Sequence, residues 1–153
     1  MQAVVLVLLM TLMVSPRAGD ASEFGTPEEA IAMVHHVQQM FGNDGVDATF
    51  KAVDDKTVAA FHDRDLYPFV YDLNGVCVAH GVRPALIGKN LIDIKDQDGN
   101  FLIREMVKIV KGPGAGWVDY KWPHPITNKI EDKSAYIEKL GEGYFVGVGV
   151  YKQ

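Results

Sequence analysis

Two β-rich runs joined through an Asn-Gly pair constrain this chain most. Tyr67–Asp72, YPFVYD, and Val76–His80, VCVAH, are separated only by Leu73-Asn74-Gly75. Asn-Gly favours a tight turn, so the two runs pair antiparallel. Pro68 lies near the start of the first run, where a strand tolerates it. Trp117–Trp122, Lys133–Leu140 and Tyr144–Tyr151 are three further strand candidates with only loops between them. Consecutive strands, rather than strands alternating singly with helices, predict an α+β domain with one antiparallel sheet of about five strands.

The helices announce themselves by their caps and periods. Thr26-Pro27-Glu28-Glu29 combines a capping residue, a proline suited to the first helical position and a glutamate that completes a capping box. Ala30, Ile31, Val34, Val37 and Phe41 then recur at three- and four-residue steps, which predicts a long helix ended by Gly42–Gly45. Val46–Asp55 reads as a shorter helix with Phe50 and Val53 inward. Thr57–Phe61 fits a helix end or a short strand, and His62–Asp65 reads as a solvated connection. Phe101–Lys111 is a third helix, capped by Asn100 or Asp98, with Leu102, Ile103, Met106, Val107 and Val110 on its apolar face. Gly112–Gly116 breaks it.

The connection Gly81–Gly99 is long for a compact domain, and such connections tend to be lids or binding loops. Its Asp93, Asp96 and Asp98 are spaced like calcium-loop ligands. The sixth and twelfth positions counted from Asp93 hold Asp98 and Arg104, however, where the calcium loop needs Gly and Glu. A turn leading into a helix cap is expected instead.

At 153 residues the chain suits one domain rather than two. Its net charge of −5 removes the electrostatic footprint of nucleic-acid binding. Residues 1–21 read as a signal peptide and 22–153 as the single folded domain. Ala3–Val14 is apolar except for Thr11 and shorter than a membrane span. A cut fits after Ala21 or Ala18, and an uncleaved anchor is the alternative, because the only positive charge ahead of the apolar run is the terminal amine. Export to the periplasm or medium would leave the lone Cys77 without a disulfide partner, and its apolar setting suggests a small buried hydrophobe. Adjacent His35 and His36 point about 100° apart on a helix and do not share a metal. No motif for a cofactor or metal is present.

Aromatic residues concentrate in the last third of the chain. Trp117, Tyr120, Trp122 and Tyr136 fall close together, interleaved with Pro123, Pro125 and lysines. Along the first strand Val118, Tyr120 and Trp122 share one face, and Trp117, Asp119 and Lys121 the other. Rigid aromatic walls with polar tips and a nearby cation suit a small organic anion; the same side chains equally suit an ordinary core. In the last strand Phe145, Gly147, Gly149 and Tyr151 share a face, and the two glycines clear space, for a packed helix ahead of a ligand.

Five blocks in order carry a resemblance: FVYDLNGVCVAHG (69–81), LIGKNLIDIKDQDGN (86–100), GWVDYKWPHP (116–125), DKSAYIEKL (132–140) and YFVGVGVY (144–151). Together with the leading helix they resemble single Cache domains, extracellular sensor modules with a long N-terminal helix on a PAS-like antiparallel sheet. The resemblance implies a small-molecule ligand, often a small carboxylate, held on one side of the sheet. It implies a wall from Tyr71, Trp117, Tyr120 and Trp122, with polar contacts from His80, Arg83, Lys133 and Tyr136. For Arg83 and Lys133 a solvated surface charge is the alternative.

Family members usually sit between two membrane spans with a signalling module inside the cell. This sequence carries neither after its last strand, so a stand-alone exported sensor, or a subunit of a separate membrane signalling partner, is expected. Dimerisation through the N-terminal helix, as a non-catalytic interaction module, is the alternative function. Catalysis by His80, Asp72, Asp119 or His124 lacks any nucleophile–base or metal signature, so no enzyme is expected.

Overall fold

The computed structural model describes residues 23–152. The leader read from residues 1–21 lies outside them. Helix α1 spans Pro27–Asp44 and begins with the full capping box: Glu29 N–H donates to Thr26 Oγ1 at 3.2 Å, and Thr26 N–H donates to Glu29 Oε2 at 2.9 Å. Gly42 does not end α1. The helix runs on to Asp44 and stops where Gly45 takes φ 84°, because a single glycine weakens a helix whereas a positive φ breaks it. Helix α2 follows at Val46–Asp54, then a 3₁₀ turn at Ala59–Phe61 resolves the ambiguous stretch as helical.

Strands β1 (Pro68–Asp72) and β2 (Cys77–His80) form the expected hairpin. Asp72 Oδ1 accepts the amides of Asn74 and Val76 at 2.9 and 2.8 Å and shapes the turn. Helix α3 (Leu102–Lys111), β3 (Ala115–Pro123), β4 (Ile130–Leu140) and β5 (Tyr144–Tyr151) complete the chain. β4 starts three residues earlier than its apolar pattern, paired across to Pro123. The α3 N-cap is Phe101 and makes no side-chain capping bond, so neither Asp98 nor Asn100 caps it. Asp96 ties that corner instead: its Oδ1 accepts from the amides of Asp98 and Asn100, and its Oδ2 accepts from the Lys121 amide at 3.2 Å.

The five strands make one fully antiparallel sheet in the order β2-β1-β5-β4-β3. One face packs α1. Ala30, Val34 and Val37 meet Val70, Ala79, Val146, Val148 and Val150 there. The other face packs α3. Leu102, Ile103 and Met106 meet Phe69, Tyr71, Ala135, Ile137 and Phe145. The long connection joins this second layer through Val82, Leu86, Ile87, Leu91 and Ile92. It also covers the β2 edge, since Cys77 N–H donates to Lys89 O and Gly88 N–H to Cys77 O.

Two local expectations change. Asp65 is buried rather than solvated; its Oδ1 accepts from Gly25 N–H at 2.7 Å and pins the chain ahead of α1. The nearest occupants of the space above Gly147 and Gly149 are side chains of the sheet itself. A Cβ at Gly147 would collide with the Phe69 ring, and one at Gly149 with the stem of Lys133.

Candidate functional site

The α3 face of the sheet holds a small cavity walled by Tyr67, Phe69, Tyr71, His80, Leu102, Ile103, Met106, Tyr120, Trp122 and Lys133. Its free volume is about 10 Å³, room for roughly one water. Strand register brings the polar members together. Tyr120 sits directly opposite Lys133 across β3–β4, and Phe69 directly opposite His80 across β1–β2. The β1–β2 pairing slips between Val70 and Tyr71, so Cys77 and His80, three residues apart, both face α3.

Lys133 is 1% exposed. Its Nζ donates to Tyr67 Oη at 2.8 Å and lies 4.1 Å from the Tyr67 ring centre, 4.9 Å from Tyr151 and 5.8 Å from Phe69. Among the described residues no carboxylate forms an ion pair with it. Complete burial lowers its pKa, and the nearby Arg83 lowers it further, against the raising effects of Tyr67 and Asp65. Among the described residues the Tyr67 hydroxyl is the one hydrogen-bond acceptor of Nζ, which leaves its other N–H positions without an acceptor there.

His80 is neutral by construction of its surroundings. Its Nδ1 accepts the amides of Val82 and Arg83 at 3.3 and 3.1 Å, which assigns the ring proton to Nε2 as a donor. Burial, then Lys133, then Arg83 push its pKa down to about 3. Burial also raises the Tyr71 and Tyr120 phenols above their ordinary value, so both remain O–H donors. The cavity therefore presents one buried cation and several neutral donors inside an apolar shell.

Of the eight residues proposed from sequence, Tyr71, His80, Tyr120, Trp122 and Lys133 line this cavity. Trp117 and Tyr136 do not. They form a cross-strand pair on the α1 side, ring centres 5.5 Å apart, with Trp117 39% exposed and Tyr136 Oη donating to Glu138 at 3.1 Å. Alternation along β3 and β4 turns both away from Tyr120 and Lys133. Arg83 lines a separate cleft with Val82, Pro125 and Asn128 and reaches the cavity only through its field and its backbone amide. The long connection supplies no wall residue; α3 does so with Leu102, Ile103 and Met106. Tyr67 and Phe69 were missed although both stand in the hairpin run, with Phe69 and Tyr71 separated by the strand period of two. Cys77 is buried with its thiol pushed up to about 11, chiefly by burial, which leaves it unreactive. Among the described residues no cluster of three His, Cys, Asp or Glu is placed to hold a metal.

The chain is 36% identical over 91 residues to the sensor histidine kinase MctS of Rhizobium johnstonii, which covers 59% of this chain and 20% of that protein. It is 34% identical over 91 residues to the methyl-accepting chemotaxis protein McpP of Pseudomonas putida, covering 59% of this chain and 17% of that protein. The alignments thus span about a fifth of the length of these curated relatives.

Solved structures of similar fold include a periplasmic sensor domain of a chemotaxis protein, with TM-score 0.66 and 28% identity over 82% of this chain and 90% of that one. A methyl-accepting chemotaxis protein from Vibrio parahaemolyticus gives 0.67 and 28% over 81% and 86%. A Cache chemosensory domain described for carboxylic acid recognition gives 0.64 and 28% over 82% and 88%. Both curated relatives are signalling proteins, one a sensor histidine kinase and the other a chemoreceptor. Single Cache domain 2 matches residues 15–153. The resemblance read from the sequence blocks therefore holds, and the chain belongs to the Single Cache domain 2 family.

Proposed function

We propose that this Cache domain binds a small monocarboxylate in the cavity on the α3 face and serves as the sensing part of a chemotaxis or kinase signalling system. One observation carries the reading: Lys133 places a fully buried amine in the cavity with no carboxylate partner among the described residues. A buried charge without a counter-ion is costly, and an anion brought in by a ligand removes that cost. His80 Nε2–H and the Tyr71 and Tyr120 hydroxyls supply neutral donors for the carboxylate oxygens. Phe69, Ile103, Met106 and Trp122 enclose a short apolar tail.

The ligand is small because the free volume is small, and its admission requires Trp122 or the flexible Met106 to give way. The cavity holds one cation, so a second carboxylate would be buried unpaired. Carboxylic acid recognition by a similar Cache domain supports the ligand class. Similarity to a periplasmic sensor domain supports placement outside the cytoplasm, with a membrane signalling protein as the output. Among the described residues no helix is long and apolar enough to cross a membrane.

The test is a thermal-shift screen of the purified protein against acetate, propionate, lactate and pyruvate. A ligand at 100 times its dissociation constant adds about 2.7 kcal/mol of stability, a shift of several degrees for a domain of this size. A shift with at least one of them is the expected result. No shift with any small carboxylate overturns the ligand assignment.

A further inference from the structure

Among the described residues the Tyr67 hydroxyl has two hydrogen-bonding neighbours: Nζ of Lys133 at 2.8 Å and the Tyr151 hydroxyl at 3.3 Å. The Tyr151 hydroxyl in turn donates to the Pro123 carbonyl at 2.9 Å. Each phenol has one proton, and a carbonyl has none. The Tyr151 proton is therefore committed to Pro123. In the contact between the phenols Tyr67 must be the donor. With its proton spent there, Tyr67 meets Lys133 only as an acceptor. The chain of bonds runs one way, from Lys133 through Tyr67 and Tyr151 to the Pro123 carbonyl.

We propose that Tyr151 is a positioning residue for the ligand cavity: it polarises and orients the Tyr67 hydroxyl as an acceptor, and so holds the Lys133 ammonium with two N–H groups free for a bound anion. The proposal rests on the carboxylate-binding reading above.

The surroundings suit that role. Tyr151 does not line the cavity, yet it is the direct cross-strand partner of Lys133 on β5. The corner that carries the Pro123 carbonyl is fixed, because His124 Nδ1 accepts the amides of Ile126 and Thr127 at 3.2 and 3.3 Å. The His124 ring rests 4.5 Å from the Tyr151 ring, which restrains the phenol itself. Successive bonds of one polarity reinforce one another in a buried setting.

The other groups facing the ammonium do not replace the chain. Asp65 attracts it and Arg83 repels it through space, the Tyr71 and Tyr120 phenols stay neutral, and His80 stays neutral beside it. Without the Tyr151 hydroxyl, Tyr67 is free to turn its proton toward Lys133, where it opposes the charge. Tyr67 gives nothing to the carboxylate in the intact protein; its contribution passes through the lysine.

The test is NMR titration of the Lys133 side chain in lysine-labelled protein without ligand, for the wild type, Tyr67→Phe and Tyr151→Phe. A purely structural role for Tyr151 would lower stability and leave the Lys133 midpoint where it is. The positioning role lowers the Lys133 proton affinity by about two- to threefold in Tyr151→Phe, and by about tenfold in Tyr67→Phe, which loses the charge-assisted bond itself. An unchanged midpoint in folded Tyr151→Phe overturns the proposal.

Should that variant not fold, the hydroxyl proton of Tyr67 in the unmodified protein decides. Its closest NMR contacts fall on the Tyr151 ring if the chain runs as assigned, and on the Lys133 Cε protons if it does not. Acetate then serves as the probe in a second arm, with weaker binding expected in Tyr151→Phe. If acetate and the other small carboxylates fail to bind the wild type, the ligand reading fails while the Lys133 midpoint still decides the polarity of the chain.

Discussion

Gly149 on β5 leaves open the space that the aliphatic stem of Lys133 on β4 occupies, and a Cβ there would overlap Cε and press on Cγ and Cδ. This glycine is the reason a lysine on a central strand can aim its ammonium along the sheet into the cavity rather than out of the protein. Gly149→Ala is expected to displace Lys133. The overlap costs about 1–3 kcal/mol of stability, as overpacking does. The ligand response should fall more steeply than stability does. Unfolding curves with and without a saturating carboxylate separate the two; equal response in wild type and variant would show that the stem has other room.

Lys133→Met keeps the length and shape of the stem and removes the charge. An unpaired buried ammonium opposes folding, so the variant is expected to be as stable as the wild type or more stable. Carboxylate binding should weaken by about 1.5–3 kcal/mol or be lost, as for a hydrogen bond to a charged group. Calorimetric titration together with thermal unfolding checks both signs. A variant that is destabilised yet still binds would place the cation's role in the fold instead of the site.

Much of this was legible in the sequence, and the failures share a cause. The Asn-Gly pair and the cap at Thr26 are local signals, so the hairpin and the start of α1 appear where expected. Tyr120, Trp122 and Lys133 line the cavity, and the sequence points to them because aromatic and basic residues concentrate there. Trp117 and Tyr136 were grouped with them by proximity along the chain, although alternation already placed Trp117 on the opposite side from Tyr120. Tyr136 differs from Lys133 by three positions on one strand, an odd spacing that reverses the face. Tyr67 is not visible in the sequence because β5 must first lie between β1 and β4, and its partners are 66 and 84 positions away. The buried state of Asp65 has the same origin: its partner is Gly25, far upstream in the chain.

The two tryptophans make a direct test of the face assignment. Trp122 walls the cavity, and Trp117 stands beside Tyr136 and lines a cleft with Pro27, Glu28 and Ile31 of α1. Trp122→Ala is expected to weaken carboxylate binding at least tenfold, as loss of a large enclosing ring. Trp117→Ala should leave binding within about twofold, consistent with a half-exposed side chain on the far face. Titration of both variants with the same carboxylate checks the contrast, and the reverse order would move the site to the α1 side of the sheet.

His80 gives the domain a defined acid sensitivity. Its folded pKa is lowered to about 3 from an ordinary 6.5, by burial first and then by Lys133 and Arg83. Between those values the unfolded chain binds a proton that the folded chain refuses. Stability from this group is therefore complete above pH 6.5 and is lost as pH falls toward 3. The limiting slope for one such proton is about 1.4 kcal/mol per pH unit. Carboxylates with lowered pKa, such as Glu29 and Asp119, add to the loss only below their ordinary values of 4.5 and 3.8, so the range from pH 6.5 to 4.5 isolates His80 from them. Denaturant unfolding of wild type and His80→Gln across that range should give a difference that shrinks as the pH is lowered. A pH-independent difference would mean that His80 titrates normally in the fold. A bound carboxylate beside His80 opposes the effect of Lys133, so saturating ligand should flatten the wild-type curve in the same window.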